Sequence, residues 1–334
     1  MSHHLDRIST LIHLSLLLVI TGLITSADAA TLQVGWGKKY PFPSVAAKFA
    51  QDGDTIENIE FSGAKVSGNN GAGIRVEGAG LTIRNCYFHD NENGILTGAN
   101  ETSDILIENT EFSHNGAGDG QSHNMYIGAV RSFTLKYSYS HHAQVGHNVK
   151  SRARTNYILY NRIMDEEDGN SSYNIDISNG GIAYVIGNLI EQGQKTENSG
   201  MISYGAEGLH SPPNEFYLIN NTVVNDRPQG GIFVFVKPGT GPVRIVNNLF
   251  IGKGRIEAAG GEESHNIMGD KDELISPLTY DYRLKPNAKA VNAGVEPGSA
   301  HDFSLQPTDQ YVHKASSEPR PKSGRIDVGA YERQ

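Results

Sequence analysis

YILYN at 157–161, YVIGN at 184–188, YLINN at 217–221 and RIVNN at 244–248 are one phrase written four times. Each is a short apolar alternation closing on asparagine. Further out the pattern continues as TIEN at 55–58, LTIRN at 81–85 and ILIEN at 105–109, and FTLKY at 133–137 puts Tyr137 in the asparagine's place. The eight closing positions, 58, 85, 109, 137, 161, 188, 221 and 248, lie 24 to 33 residues apart. That period is too short for a WD40 blade and lacks the leucine-rich consensus. It fits a solenoid, each coil carrying short parallel strands joined by turns. Along a strand alternate side chains face opposite ways, so one set packs inward and the other meets solvent. Asparagines stacked where strands end can pass hydrogen bonds along a column, serving bent backbone that no strand ladder reaches.

The rest of the composition agrees. Glycine supplies 38 of 334 residues, above the ~7% of average chains and without a collagen period, which argues for many turns. One cysteine, Cys86, excludes a disulfide framework and a cysteine-based zinc cluster. A net charge of −9 disfavours an extended nucleic-acid surface, which needs a basic stripe. His3, His4 and Arg7 precede an apolar run from Leu11 to Ile24 and then Ala27-Asp28-Ala29. This reads as a secretory signal over residues 1–29, too short in its apolar part for the ~20 residues of a membrane span. The expected product, residues 30–334, is a single exported domain, secreted or periplasmic, with no membrane span.

The repeat resembles the right-handed parallel β-helix proteins of the pectate-lyase-like superfamily over nearly all of that chain. GDTI at 53–56 resembles the usual entry to the first coil, and DYRL at 281–284, VNAG at 291–294 and IDVGAYE at 326–332 resemble the usual closing segment. GDTI runs straight into Glu57-Asn58-Ile59, as though a coil or two were missing there. The expected fold is all-β, with coils over about 53–269 and an irregular C-terminal cap over 270–334. A short amphipathic helix over 44–50, N-capped by Ser44, is expected to cover the open end, since bare strand edges invite aggregation.

A further strand follows each asparagine turn: GILT at 94–97, NMYI at 124–127, NVKS at 148–151, NIDI at 174–177, GMIS at 200–203 and GIFV at 231–234. Their second positions, Ile95, Met125, Val149, Ile175, Met201 and Ile232, are all apolar and define an inward column. First and third positions then face out. The third-position column is Leu96, Tyr126, Lys150, Asp176, Ile202 and Phe233, and Arg152 follows Lys150 on the same face. Asn124, Asn148 and Asn174 fill the first positions of the middle coils, with His123 and His147 just before two of them.

Enzymes of the family resembled cut uronic-acid polysaccharides by β-elimination. That reaction needs the carboxylate neutralised, a base for the C5 proton and an acid for the leaving oxygen. On stacking alone Lys150 is the expected base, Arg152 the carboxylate clamp, and Tyr126 or His147 the acid. Asn124, Asn148, Asn174, Asp176 and His123 are expected to hold an acidic polysaccharide. The resemblance also implies calcium as a possible cofactor, for which the acidic turn Asp165, Glu166, Glu167 and Asp168 offers oxygen ligands. A single carboxylate beside two cations disfavours a polygalacturonase-type hydrolase. Two alternatives remain: a non-catalytic carbohydrate-binding surface solenoid and a uronate C5-epimerase.

Overall fold

Aliphatic and aromatic residues at every second position are what a strand buried on one face requires, and the chain folds them into three parallel sheets. The computed structural model describes residues 31–333 apart from 197 and 323, so the expected signal lies outside the described residues. Two sheets have nine strands, from Thr55–Glu57 to Glu262–Ser264 and from Glu60–Ser62 to Ile267–Gly269; the third has eight, from Ala72–Val76 to Arg255–Glu257. Each strand pairs with its equivalent one coil before and one coil after. The first coil holds a strand in all three sheets, so GDTI opens a complete coil.

Every sheet sends an apolar column inward. In the third sheet it runs Ile74, Ile95, Met125, Val149, Ile175, Ile202, Val234 and Ile256. In the second, Phe61, Phe88 and Phe112 stack face to face with centroids 4.8 Å apart. Equal side chains on successive coils meet at the strand spacing, which suits stacking of flat rings.

The recurring asparagines turn out to be two columns, one residue out of phase. Asn58, Asn85, Asn109, Tyr137, Tyr160, Asn220 and Asn247 take the left-handed backbone that bends each coil, with φ between +49° and +59°. The next residue along is the ladder. Asn161, Asn188, Asn221 and Asn248 each donate to the Oδ1 of the next at 2.9–3.0 Å, and the ladder ends at Asn266. Earlier coils fill the ladder position with Thr110 and Ser138, whose hydroxyls accept the preceding coil's backbone N–H groups. The bend column does a separate job outside. Asn109, Asn220 and Asn247 donate to carbonyls of Ala315, Asp327 and Val295, so they hold the C-terminal segment against the coils. That segment covers outward apolar side chains including Leu189, Val224, Leu249 and Ile251 with Tyr282, Tyr311 and Val328.

Residues 31–50 form a compact unit separate from 51–334. Within it a helical turn spans Pro43–Ala46 and passes into a 3-10 turn, Ala47–Phe49. The cap falls two residues earlier than expected: Phe42 takes that place and Pro43 is the first helical residue, with no side-chain capping bond. Proline's fixed φ favours that first position, which leaves Ser44 inside the helix.

Candidate functional site

Tyr126, Lys150 and Asp176 are the central residues of three-residue strands, Met125–Ile127, Val149–Ser151 and Ile175–Ile177, and pair directly across the rungs. Their strand neighbours point into the core, so the three project from one face on successive rungs, as alternation requires. On the next rung the partner of Asp176 is Ser203, and after it Phe235. The expected Ile202 and Phe233 are buried in the core instead, as is Met201. The register differs because Met201 stands level with Asn174, accepting its N–H at 3.0 Å.

Lys150 lies recessed between two carboxylates. Its Nζ is 3.3 Å from Asp176 Oδ2 and 2.8 Å from Glu207 Oε1. Arg152 Nη2 meets the other oxygen of Glu207 at 2.6 Å and Nη1 donates to Asn179 at 3.1 Å. Both cations approach the half-buried Tyr126 ring, at 5.9 and 5.6 Å from its centroid, within cation–π range. Behind Tyr126 stand the stacked imidazoles of His123 and His147, 4.6 Å apart, with His147 Nε2 3.5 Å from Asp176 Oδ2.

Burial governs the titration of this cluster. It pushes His123 down to about 3, with Lys150 adding to the effect, and the backbone N–H of His147 donates to His123 Nδ1, which is therefore unprotonated. Burial, His123 and Lys150 together hold His147 well below its ordinary value. Burial raises the Asp176 carboxyl against the opposing bonds from Ser178 and Lys150. Burial alone would also raise Glu207, but its bonds to Lys150 and Arg152 outweigh that and bring it below the ordinary range.

Several expectations change accordingly. The Lys150 Nζ is held in two ion pairs, a geometry that suits a source of charge better than the expected base. His147, held neutral, is no general acid, and His123 is sealed beneath Tyr126 with 2% of its surface exposed. Asn124, Asn148 and Asn174 do not face solvent. They occupy the corner before each strand, fully buried, where Asn124 donates to Asn148 at 3.0 Å, Asn148 to Ser171 at 3.0 Å, and Asn174 to the Glu191 carbonyl at 2.8 Å. Turned backbone leaves unpaired groups there, and a buried amide is the local partner.

The acidic turn does not converge on a metal. Asp165 is buried and accepts backbone N–H groups of Ser171 and Gly193, Glu166 pairs with Arg162 and Tyr139, Asp168 bonds His142, and Glu167 faces solvent. Among the described residues no cluster of three or more His, Cys, Asp or Glu is arranged to hold a metal ion, so calcium finds no matching donor set here.

Sequence reasoning missed Ser203, through the register, and Glu207, which sits in the turn after strand Gly200–Tyr204, 57 residues from Lys150. The only signal for Glu207 was a glutamate between Gly205 and Gly208. Four polar atoms of the cluster, on Asp176 (Oδ1), Ser203 (Oγ), His147 (Nδ1) and Arg152 (Nε), are buried without a hydrogen-bonding partner among the described residues. Buried unpartnered polar atoms are rare and concentrate where chemistry or binding needs them.

A family model described as the right handed beta helix region matches residues 43–190, and the same sheets continue in register beyond it to Gly269. The match and the three stacked parallel sheets agree on the fold, a right-handed parallel β-helix. No curated protein and no solved structure matches it.

Proposed function

We propose that the protein is exported and binds an acidic, uronate-containing polysaccharide across the rungs of Tyr126, Lys150 and Asp176, cleaving it by β-elimination. One observation carries the reading: two cations set against an aromatic ring on the open face of a sheet, in a chain of charge −9. The sheet that carries it runs unbroken through eight strands, which suits a polymer. No helix among the described residues is long and apolar enough to cross a membrane.

In this reading Lys150 and Arg152 neutralise the sugar carboxylate, which acidifies the C5 proton. Arginine gives a carboxylate a planar fork, and lysine adds a point charge. Tyr126 is the most accessible hydroxyl beside both cations and is assigned the proton transfer. In one relay the Tyr126 hydroxyl gives its own proton to the leaving glycosidic oxygen and takes the C5 proton in exchange, while the C5 electron pair forms the C4–C5 double bond and the C4–oxygen bond breaks.

A second reading has one specific support. Two carboxyls flank Lys150, Asp176 raised by burial and Glu207 lowered by its cations, and hydrolysis uses a pair of carboxyls in unlike environments. Incubation with alginate, pectate and glycosaminoglycans decides. β-Elimination gives ultraviolet absorbance from the unsaturated uronate, lost in Tyr126→Phe. New reducing ends without that absorbance mean hydrolysis, C5 proton exchange without cleavage means epimerisation, and binding alone means a surface lectin.

A further inference from the structure

Glu207 is the odd member of the cluster. Asp176 belongs to the same sheet as Lys150 and is buried; Glu207 reaches in from a turn, and its side chain keeps 42% of its surface exposed. It bridges the cations with both oxygens, one on Lys150 at 2.8 Å and one on Arg152 at 2.6 Å. This is the bidentate pose a foreign carboxylate would take against a lysine and an arginine. The turn's backbone is fixed independently: Gly205 donates to Ile177, Glu207 to Ser178 and His210 to Asn179, at 2.8, 3.1 and 2.9 Å. Side-chain rotation alone therefore carries the carboxylate out to solvent. When it leaves, Asp176 still balances one of the two cations, and a single positive charge with an open fork remains.

We infer that Lys150 and Arg152 form a seat for one carboxylate of an acidic sugar, and that Glu207 is its resident occupant, exchanged for the sugar on binding. The inference rests on the acidic-polysaccharide reading above and adds a competitor built into the chain. An internal anion on the same donors lowers affinity for every external one, and it disfavours ligands that cannot displace it, such as neutral sugars. It also keeps two recessed cations paired while the face is free, since an unpaired buried charge is costly.

The test is titration calorimetry of the full chain with trisaccharides of galacturonate, glucuronate and mannuronate, and with maltotriose as the neutral control. Glu207→Gln removes the charge and keeps the shape. The expected result is about tenfold tighter binding of at least one acidic trisaccharide than in the wild type, the scale of one charge competing at a partly exposed site. The gain is lost again when Arg152→Ala is added, and maltotriose is unaffected. Equal or weaker binding in Glu207→Gln overturns the inference, as does no binding of any acidic trisaccharide to either chain. If that variant does not fold, the wild type decides. The Arg152 Nε–H resonance shifts on adding the acidic trisaccharide and not on adding maltotriose, and an unmoved resonance overturns the seat.

The two proposals fail separately. Tighter binding without cleavage keeps the seat and discards β-elimination. Cleavage with the same KM in Glu207→Gln and wild type keeps β-elimination and discards Glu207 as occupant.

Discussion

Lys150 is where the site's stability and its chemistry meet. Its ammonium is the counter-charge of the buried Asp176, and removing one partner of a buried pair costs about 3–5 kcal/mol. Lys150→Ala is expected to lose stability on that scale at pH 7 in denaturant melts, and adding Asp176→Asn recovers most of it. A loss that Asp176→Asn leaves unrepaired contradicts the pairing. The buried titratable groups give pH signatures of opposite sign. His123 is lowered to about 3, so its contribution is present above the unfolded value near 6.5 and is lost as pH falls toward 3, with a slope of at most about 1.4 kcal/mol per pH unit. Asp165, fully buried, is raised to about 6, so its contribution is present below pH ~4 and is lost as pH rises through 6. Asp165→Asn does not ionise, so its stability relative to wild type should improve by about 3 kcal/mol between pH 4 and 8. A pH-independent difference between the two chains contradicts the buried, ionising carboxyl. At this scale Tyr126, Lys150 and Asp176 were legible, because period two in three-residue strands leaves no other outward residue. Glu207 was not, since its pairing depends on where a turn lands rather than on any spacing.

Among the elements, asparagine illustrates how one residue type hides two physical demands. The bend position needs a left-handed backbone, which asparagine tolerates. The ladder position needs a short amide that both donates and accepts. Read from sequence, the early coils gave the bend asparagines and the later ones the ladder, and their nearly equal spacing merged them. Only Asn220-Asn221 and Asn247-Asn248 carry both, and that doubling was the clue to two columns. The two positions should respond differently to substitution. Asn221 accepts from the Asn188 N–H and amide and donates to Asn248 and the Val185 carbonyl. Asn221→Ala strands several buried groups and is expected to cost about 2–4 kcal/mol, whereas exposed Asn58→Gly, left-handed and off the ladder, should shift stability by under ~0.5 kcal/mol. Equal costs in thermal melts contradict the two-column account.

For the molecule as a whole, the repeat fixed the winding, and equal side chains stacked on successive coils fixed the core. What composition did not disclose is that residues beyond 270 do more than close an end. They run back along the outside and cover apolar columns that extend from Tyr139 to Ile251. Deleting residues 271–334 is expected to expose those columns, raise binding of a hydrophobic dye and drive aggregation, and a soluble, dye-silent truncation contradicts that role. The proposed site lies elsewhere, on the third sheet, and the proposed function makes one demand: the ligand must carry a carboxylate. The direct measurement is titration of the wild-type chain with a uronate oligosaccharide beside the same oligosaccharide whose carboxyls have been reduced to alcohols. The account predicts salt-sensitive binding of the first and none of the second. Equal affinity for both, or no affinity for either, contradicts it.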